Sequence, residues 1–347
     1  MLADHVDLAG LRHHGDVEAL PGLLDFAVNV QGSAPPQWLR ERLAAGLDTL
    51  GRYPGGAQDR AARDAVGLRH GLPADHVLPL AGGAEGFALL PNLAPRLAAV
   101  LHPSFTEPEL ALREAGIPVT QVLLPPPYTL DPAMVPEEAD LVVVGNPTNP
   151  TSILHPAETL RALRRPGRIV VVDEAFMDAV PEEPESLAAE AGGDLLVLRS
   201  LTKTWALAGL RCGYFLGAPE LLARLVRGRP HWPLGSLQLE AITATASARA
   251  VAECGRRAQR IAADRVAMVG RLRDLGVDVG GPAAAPFLLL HVQDGEQRRQ
   301  RLRAEGIAVR RCDTFPGLGP DHLRAAVRPA GDVDQLVAGL RAAGTAG

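Results

Sequence analysis

Lys203 is the only lysine among 347 residues; the other 34 basic Lys and Arg side chains are all arginine. A chain that meets its ordinary need for positive charge with arginine has kept one primary amine. Only lysine supplies an amine that can lose its proton and form an imine. A chance surface lysine is the plain alternative, and the surroundings argue against it. Arg199-Ser200-Leu201-Thr202-Lys203-Thr204-Trp205, with Arg211 eight residues beyond the lysine, brings two hydroxyls and a guanidinium near that amine. Such a set can hold a phosphate dianion, although Ser200 and Thr202 taken singly also suit helix capping.

Three more segments carry chemistry-bearing residues. In Leu80-Ala81-Gly82-Gly83-Ala84-Glu85-Gly86 the small residues let backbone N–H groups approach an anion at a helix start; a plain strand-to-helix turn reads the same way. In Val144-Gly145-Asn146-Pro147-Thr148-Asn149-Pro150-Thr151-Ser152 two Asn-Pro pairs hold the chain extended and offer amide donors. The chain has only four asparagines, Asn29, Asn92, Asn146 and Asn149, so two in one turn suggest more than a rigid bend. Ile169-Val170-Val171-Val172-Asp173 ends an apolar run on a carboxylate, which is costly to bury unless partnered. A pyridinium nitrogen is a suitable partner, because the carboxylate keeps that nitrogen protonated and the ring electron-withdrawing. A metal or a ribose is the rival, but no G-x-G-x-x-G or further ligand cluster accompanies Asp173.

The elements that must position these groups read as an α/β domain. Strand-like runs at Val77–Leu80, Leu97–Leu101, Leu141–Val144, Ile169–Val172, Leu195–Leu198 and Gly213–Leu216 alternate with helical patterns at Glu85–Leu93, Glu107–Ala115, Pro156–Leu163 and Pro219–Arg227. Continuous rather than alternating apolar content predicts a largely parallel sheet covered on both faces. Ligands bind at the carboxyl ends of such strands, where the polar segments fall. From Trp232 the texture changes. A long Ala/Arg-rich stretch, Leu237 to Leu275, has helical spacing, and short strands and helices follow it in a smaller α+β unit. The division expected is an N-terminal segment 1–50 packing on the small domain, a large domain 51–232 and a small domain 233–347.

Composition narrows the class of function. The net charge of -5 includes no basic stripe, which argues against nucleic acid as a partner. Cys212, Cys254 and Cys312 are far apart and have no metal-like spacing. No apolar stretch approaches a membrane span, and the first sixteen residues, with Asp4, Asp7 and Arg12, do not resemble a signal peptide. The expectation is a cytoplasmic protein without metal or membrane.

The order and spacing of the four polar segments resemble the fold-type I pyridoxal-phosphate (PLP) enzymes, the aspartate aminotransferase superfamily, from about His13 to Arg328. The resemblance implies a large domain with a mostly parallel seven-stranded sheet, a smaller C-terminal domain, and a homodimer with shared active sites. By match, Lys203 looks like the Schiff-base lysine, Asp173 the partner of the pyridine nitrogen, and Asn149 the donor to the cofactor's phenolic oxygen. Gly83, Ala84, Ser200, Thr202 and Arg211 look like the phosphate cup. Phe105 stands where the family stacks an aromatic ring. Two departures are visible: Ser152 replaces the usual glycine after Asn-Pro-Thr, and Phe176 stands where many relatives have tyrosine.

Ala206-Leu207-Ala208-Gly209-Leu210-Arg211-Cys212-Gly213 resembles the histidinol-phosphate aminotransferase branch, and Tyr53 in Arg52-Tyr53-Pro54 matches its tyrosine that reaches the neighbouring subunit. Within the branch, His13-His14-Gly15-Asp16 and Leu24-Asp25-Phe26-Ala27-Val28-Asn29 resemble the N-terminal wording of threonine-phosphate decarboxylases of cobalamin biosynthesis, although His14 replaces a glycine and Val30-Gln31-Gly32 replaces Ile-Asn-Pro. Arg324 matches the superfamily's carboxylate clamp. Arg328, four residues on and thus on the same side of a strand, is extra, and a substrate phosphate would explain it, with His13 and Asn29 as further substrate ligands. The resemblance therefore implies a phosphorylated amino-acid substrate, L-threonine O-3-phosphate, decarboxylated to (R)-1-amino-2-propanol O-2-phosphate. The alternatives are an aminotransferase of the histidinol-phosphate type and a relic that binds without catalysis. A decarboxylase holds Cα–CO₂⁻ perpendicular to the ring and an aminotransferase holds Cα–H there; residue types alone do not say which.

Overall fold

The computed structural model describes residues 8–13 and 15–345; His14 lies outside the described residues. The apolar runs assemble into a seven-stranded sheet. Its order is Val77–Leu80, Gly213–Leu216, Leu195–Ser200, Ile169–Asp173, Leu141–Gly145, Ala98–His102 and Val119–Leu123. Every neighbouring pair is parallel except those of Gly213–Leu216, which is antiparallel to both its neighbours. Both faces are covered, which is why the strands are apolar throughout rather than alternating. Val142, Val144, Val170, Val172 and Val197 enter one core with residues of the helices Gly56–His70 and Ser236–Thr245. Val143, Val171, Leu196 and Leu198 enter the other with the helices Gly83–Leu89, Glu107–Glu114 and Pro219–Leu225.

One strand was not legible in the apolar runs. Val119–Leu123 pairs on one side only, and its Thr120 and Gln121 interrupt the hydrophobic pattern that a central strand needs. The stretch expected as one long helix is two, Ser236–Thr245 and Ala248–Asp274, with Ser247 Oγ accepting the Ala250 N–H to cap the second. The first puts Leu239, Ala241 and Ile242 into the core of the large sheet. The second carries Met268 and Leu272 into another core, beneath a four-stranded antiparallel sheet. That sheet runs Arg310–Arg311, His322–Ala326, Phe287–His291, Asp278–Val279.

The N-terminal segment joins the second sheet to the first. Leu24–Asp25 pairs in parallel with Ile307–Ala308, and Phe26 is fully buried against the small core. The backbone then passes over the carboxyl ends of the large sheet, where Gln31 N–H donates to the Lys203 carbonyl at 2.9 Å. Farther on, the helix Gln37–Gly46 places Leu39 in the large core. No helix among the described residues is long and apolar enough to cross a membrane.

Candidate active site

A cavity of about 450 Å³ opens at the carboxyl ends of the parallel strands, between the two sheets and the N-terminal segment. Five strands deliver residues there: Gly83 and Ala84 after Val77–Leu80, Phe105 after Ala98–His102, Asn149 after Leu141–Gly145, Asp173 and Phe176 at and beyond the end of Ile169–Asp173, and Ser200, Thr202 and Lys203 at and beyond the end of Leu195–Ser200. Arg211 enters from the turn before Gly213–Leu216, Arg324 from the small sheet, and His13 and Asn29 from the N-terminal segment. Tyr53 and Arg328 are the two candidates that do not line it.

Burial beside Arg324 and Arg211 lowers the Lys203 amine to about 8, with Asp16 and Asp173 pulling the other way. About a tenth of the amine is therefore neutral and nucleophilic at pH 7, far more than for an ordinary lysine. Asp173 is shifted in the opposite sense. Burial raises its carboxyl to about 7, opposed by a 3.0 Å hydrogen bond from the Ala175 N–H. A carboxyl held half-protonated in a cavity is short of a cationic partner, and a protonated ring nitrogen would supply one. Ser200 Oγ and Thr202 Oγ1 lie 2.8 Å apart, both buried, beside the amides that open the helix Gly83–Leu89. Arg211 closes this corner. Gly82 has φ +84°, and a Cβ there would stand 2.7 Å from the Arg211 guanidinium, so only glycine lets the arginine reach. A flat ring bearing an aldehyde, a basic nitrogen and a phosphate fits this donor set.

The opposite wall is cationic. Arg324 is 5% exposed; it donates to Asn149 Oδ1 and to the Ala27 carbonyl, its Nε has no partner, and it stands 5.4 Å over the Phe287 ring. Burial pushes its guanidinium down to about 9. Directly opposite in register is Arg310, 2% exposed, which donates to the carbonyls of Arg311 and His13 and to Thr314 Oγ1. Neither guanidinium has a carboxylate at ion-pair distance among the described residues, so the wall is primed for anions. Arg310 was not singled out from the sequence. Its adjacency to Arg311 and the abundance of arginine hid it, and only the pairing with Arg324 marks it. Asp16 and Thr314 also line the cavity without having been foreseen.

Three expected residues occupy different surroundings. The strand carrying Arg324 ends at Ala326, so the every-second-residue rule does not extend to Arg328. Its guanidinium is spent on the carbonyls of Asp25, Val28, Val30 and Val327, holding the N-terminal segment in place. His13 reaches the cavity, but burial and Arg310 lower its pKa while Glu18, 3.3 Å away, raises it; the net fall leaves a neutral imidazole that is a poor ligand for a phosphate. Tyr53 is 75% exposed and stacks on Trp232 at 4.3 Å, outside the cavity.

The two departures from family wording have structural counterparts. Phe176 meets Phe287 edge-on at 4.8 Å, so an apolar chain leading to Arg324 occupies the place of a phenol. Ser152 adopts φ +65° and is fully buried; its Oγ accepts the Ala285 N–H and its carbonyl the Ala284 N–H, both at 2.8 Å. The hydroxyl thus repays the strain of a left-handed backbone by joining the Asn-Pro-Thr turn to the small sheet's entry. Ser152→Ala should destabilise by about 2 kcal/mol, because it leaves a buried N–H unsatisfied while keeping the strain. Ser152→Gly should lose less, since glycine accepts that φ. Urea unfolding of the two variants checks the order.

A family model for aminotransferase class I and II matches residues 23–342. A histidinol-phosphate aminotransferase of Mycobacterium tuberculosis is 58% identical over 326 residues, covering 94% of this chain and 89% of that protein. The threonine-phosphate decarboxylase of Salmonella typhimurium is 28% identical over 332 residues, covering 92% and 90%. Among solved structures, the histidinol-phosphate aminotransferase from Clostridium acetobutylicum matches with TM-score 0.84 at 23% identity, over 92% of this chain and 98% of that one, which bears on the fold alone. These similarities overturn the expected threonine-phosphate decarboxylase: twice the identity lies with a histidinol-phosphate aminotransferase. Arg328, the residue that had argued for an extra phosphate, is also committed to backbone carbonyls. The chain belongs to the aminotransferase class I and II family and is a pyridoxal-phosphate-dependent enzyme of fold type I.

Proposed function

We propose that the protein is an aminotransferase of the histidinol-phosphate type, moving an amino group between a phosphorylated amine and an oxo acid. The observation that carries this reading is the 58% identity to the mycobacterial enzyme over nearly the whole chain. The cationic wall supports it, since Arg310 and Arg324 side by side suit a phosphate monoester in one half-reaction and carboxylates in the other.

When bound, PLP supplies an electron sink for the bond broken at the substrate's Cα. In this reading Lys203 is the residue that would hold the cofactor through its aldehyde, and its amine would move the proton at the substrate's Cα. An amine near 8 can both take and return a proton at neutral pH. Asp173 keeps the ring nitrogen protonated. Asn149, whose Oδ1 already accepts from Arg324, has its Nδ2 left to donate to the phenolic oxygen. Phe105 packs against the ring, and Ser200, Thr202, Arg211 and the Gly83 and Ala84 amides hold the phosphate. Asn29, whose buried Oδ1 has no partner, accepts from a substrate N–H. The exposed Tyr53–Trp232 stack supports a homodimer in which this face meets the other subunit, and the three buried free thiols suit the cytoplasm.

The test is a half-reaction. L-histidinol phosphate added to the holoenzyme should convert the visible cofactor band to the amine form in stoichiometric amount. Added 2-oxoglutarate should restore the band with release of glutamate. Carbon dioxide released from L-threonine O-3-phosphate, with no amino transfer from histidinol phosphate, would sink the proposal.

A further inference from the structure

On the face of the sheet turned away from the cavity lies a buried charge cluster that neither cofactor nor substrate reaches. Arg199, 1% exposed, lies 2.9 Å from Glu174 Oε2 and donates to Asp178 and to Ser186 Oγ at 2.8 and 2.9 Å, and also to Glu183. Glu174, fully buried, accepts from Ser186 Oγ at 2.8 Å and from the Leu187 N–H at 2.7 Å. Arg69, from the helix Gly56–His70, joins through Asp178 and Glu183. A buried ion cluster is poor value as a stabiliser, because apolar residues of similar volume often do as well. Its position gives it another reason to exist.

Glu174 directly follows Asp173, and Arg199 directly precedes Ser200. The two strands pair in parallel with Asp173 opposite Leu198, and the Glu174 N–H donates to the Leu198 carbonyl at 2.9 Å. Side chains alternate across a sheet. Asp173, Leu198 and Ser200 therefore face the cavity, while Arg199 shares the other face with Val197 and Tyr214. The charged pair bridges the strand ends one residue away from the two groups that meet opposite ends of the cofactor.

We propose that Glu174 and Arg199 are positioning residues for PLP: their ion pair behind the sheet sets the separation between the Asp173 carboxylate and the Ser200–Thr202 phosphate hydroxyls. Ser186, bonded to both, is the brace of the pair. The inference needs only that the chain binds PLP and is independent of which amine it transaminates.

The test compares PLP dissociation constants, measured by reconstituting apoprotein, with the wavelength of the visible band. Arg199→Lys keeps the charge but not the fork that reaches three acids at once, and it should raise the dissociation constant about tenfold and move the band. Arg168→Met serves as the control: Arg168 is also buried, at 5% exposed, and immediately precedes the amino end of the Asp173 strand, bonded to the Ala139 and Pro136 carbonyls. It should lower the melting temperature while leaving PLP affinity unchanged. Ser186→Ala removes the brace together with the bond that its Oγ accepts from the Ala188 N–H at 3.1 Å, and it carries the test if the arginine variants do not fold, with an expected rise of about threefold. Wild-type affinity and an unmoved band in a folded Arg199→Lys or in Ser186→Ala would reduce the cluster to a structural feature and overturn the proposal.

Discussion

Lys203→Ala and Lys203→Arg should both abolish the visible band of the bound cofactor and lower kcat by roughly 10⁴-fold or more. Arginine is the sharper test. It restores the positive charge, so any role of Lys203 as a mere cation would survive the change, whereas imine chemistry would not. Wild-type uptake of PLP by the apoprotein should show the amine's titration as well. Burial, Arg324 and Arg211 bring Lys203 down to about 8. Below that pH most amines are protonated and cannot attack an aldehyde. The rate of band formation should therefore rise with pH and level off above about 8, and a stopped-flow series across that range would show it. A rate that goes on climbing about tenfold per pH unit past 9, without levelling, would mean that the amine is not perturbed as described.

The lysine was legible because it is chemically alone in its sequence, and Asp173 because a carboxylate ending an apolar run has few innocent explanations. Five of the six strands expected in the large sheet could be read within one residue at either end, and Leu195–Ser200 only as far as Leu198, because buried parallel strands are continuous apolar runs. What stayed hidden had either weak local patterning or none. Val119–Leu123 is a half-exposed edge, and the break at Ser247 lies in an Ala/Arg-rich stretch with only a serine to mark it. Arg310 and Arg324 meet only because two short strands pair, a long-range fact with no local signature. Arg328 failed for the converse reason. A local periodicity was extended past the end of the strand that justified it. The reaction type was the least legible part, because both candidate chemistries use the same lysine, aspartate and phosphate cup and differ only in which bond at Cα is presented to the ring.

Asp173→Asn should trade function for stability in a way that few substitutions do. The amide cannot hold a ring nitrogen protonated, so kcat should fall about 10²- to 10³-fold, comparable to losing one strong electrostatic contact to the reacting system. PLP affinity should change much less, because the phosphate cup of Ser200, Thr202 and Arg211 and the lysine are untouched. The apoprotein, however, should gain. Its Asp173 carboxyl is raised by burial from 3.8 to about 7. A carboxyl with a raised folded-state pKa contributes stability that is complete below the unfolded pKa and lost as pH climbs through the folded one. Above pH 7 the wild-type apoprotein therefore carries a charge that its fold disfavours, and asparagine carries none. Because the cavity admits water to this carboxylate, the gain expected at pH 8 is about 2 kcal/mol rather than the full linkage value. It should vanish near pH 4, where the wild-type carboxyl is protonated in the fold. Thermal unfolding of the two apoproteins at pH 4.5 and 8 separates the possibilities. A wild-type apoprotein that is the more stable of the pair at pH 8 would mean that Asp173 already has a cationic partner in the fold, and that its carboxylate is not the vacancy a ring nitrogen fills.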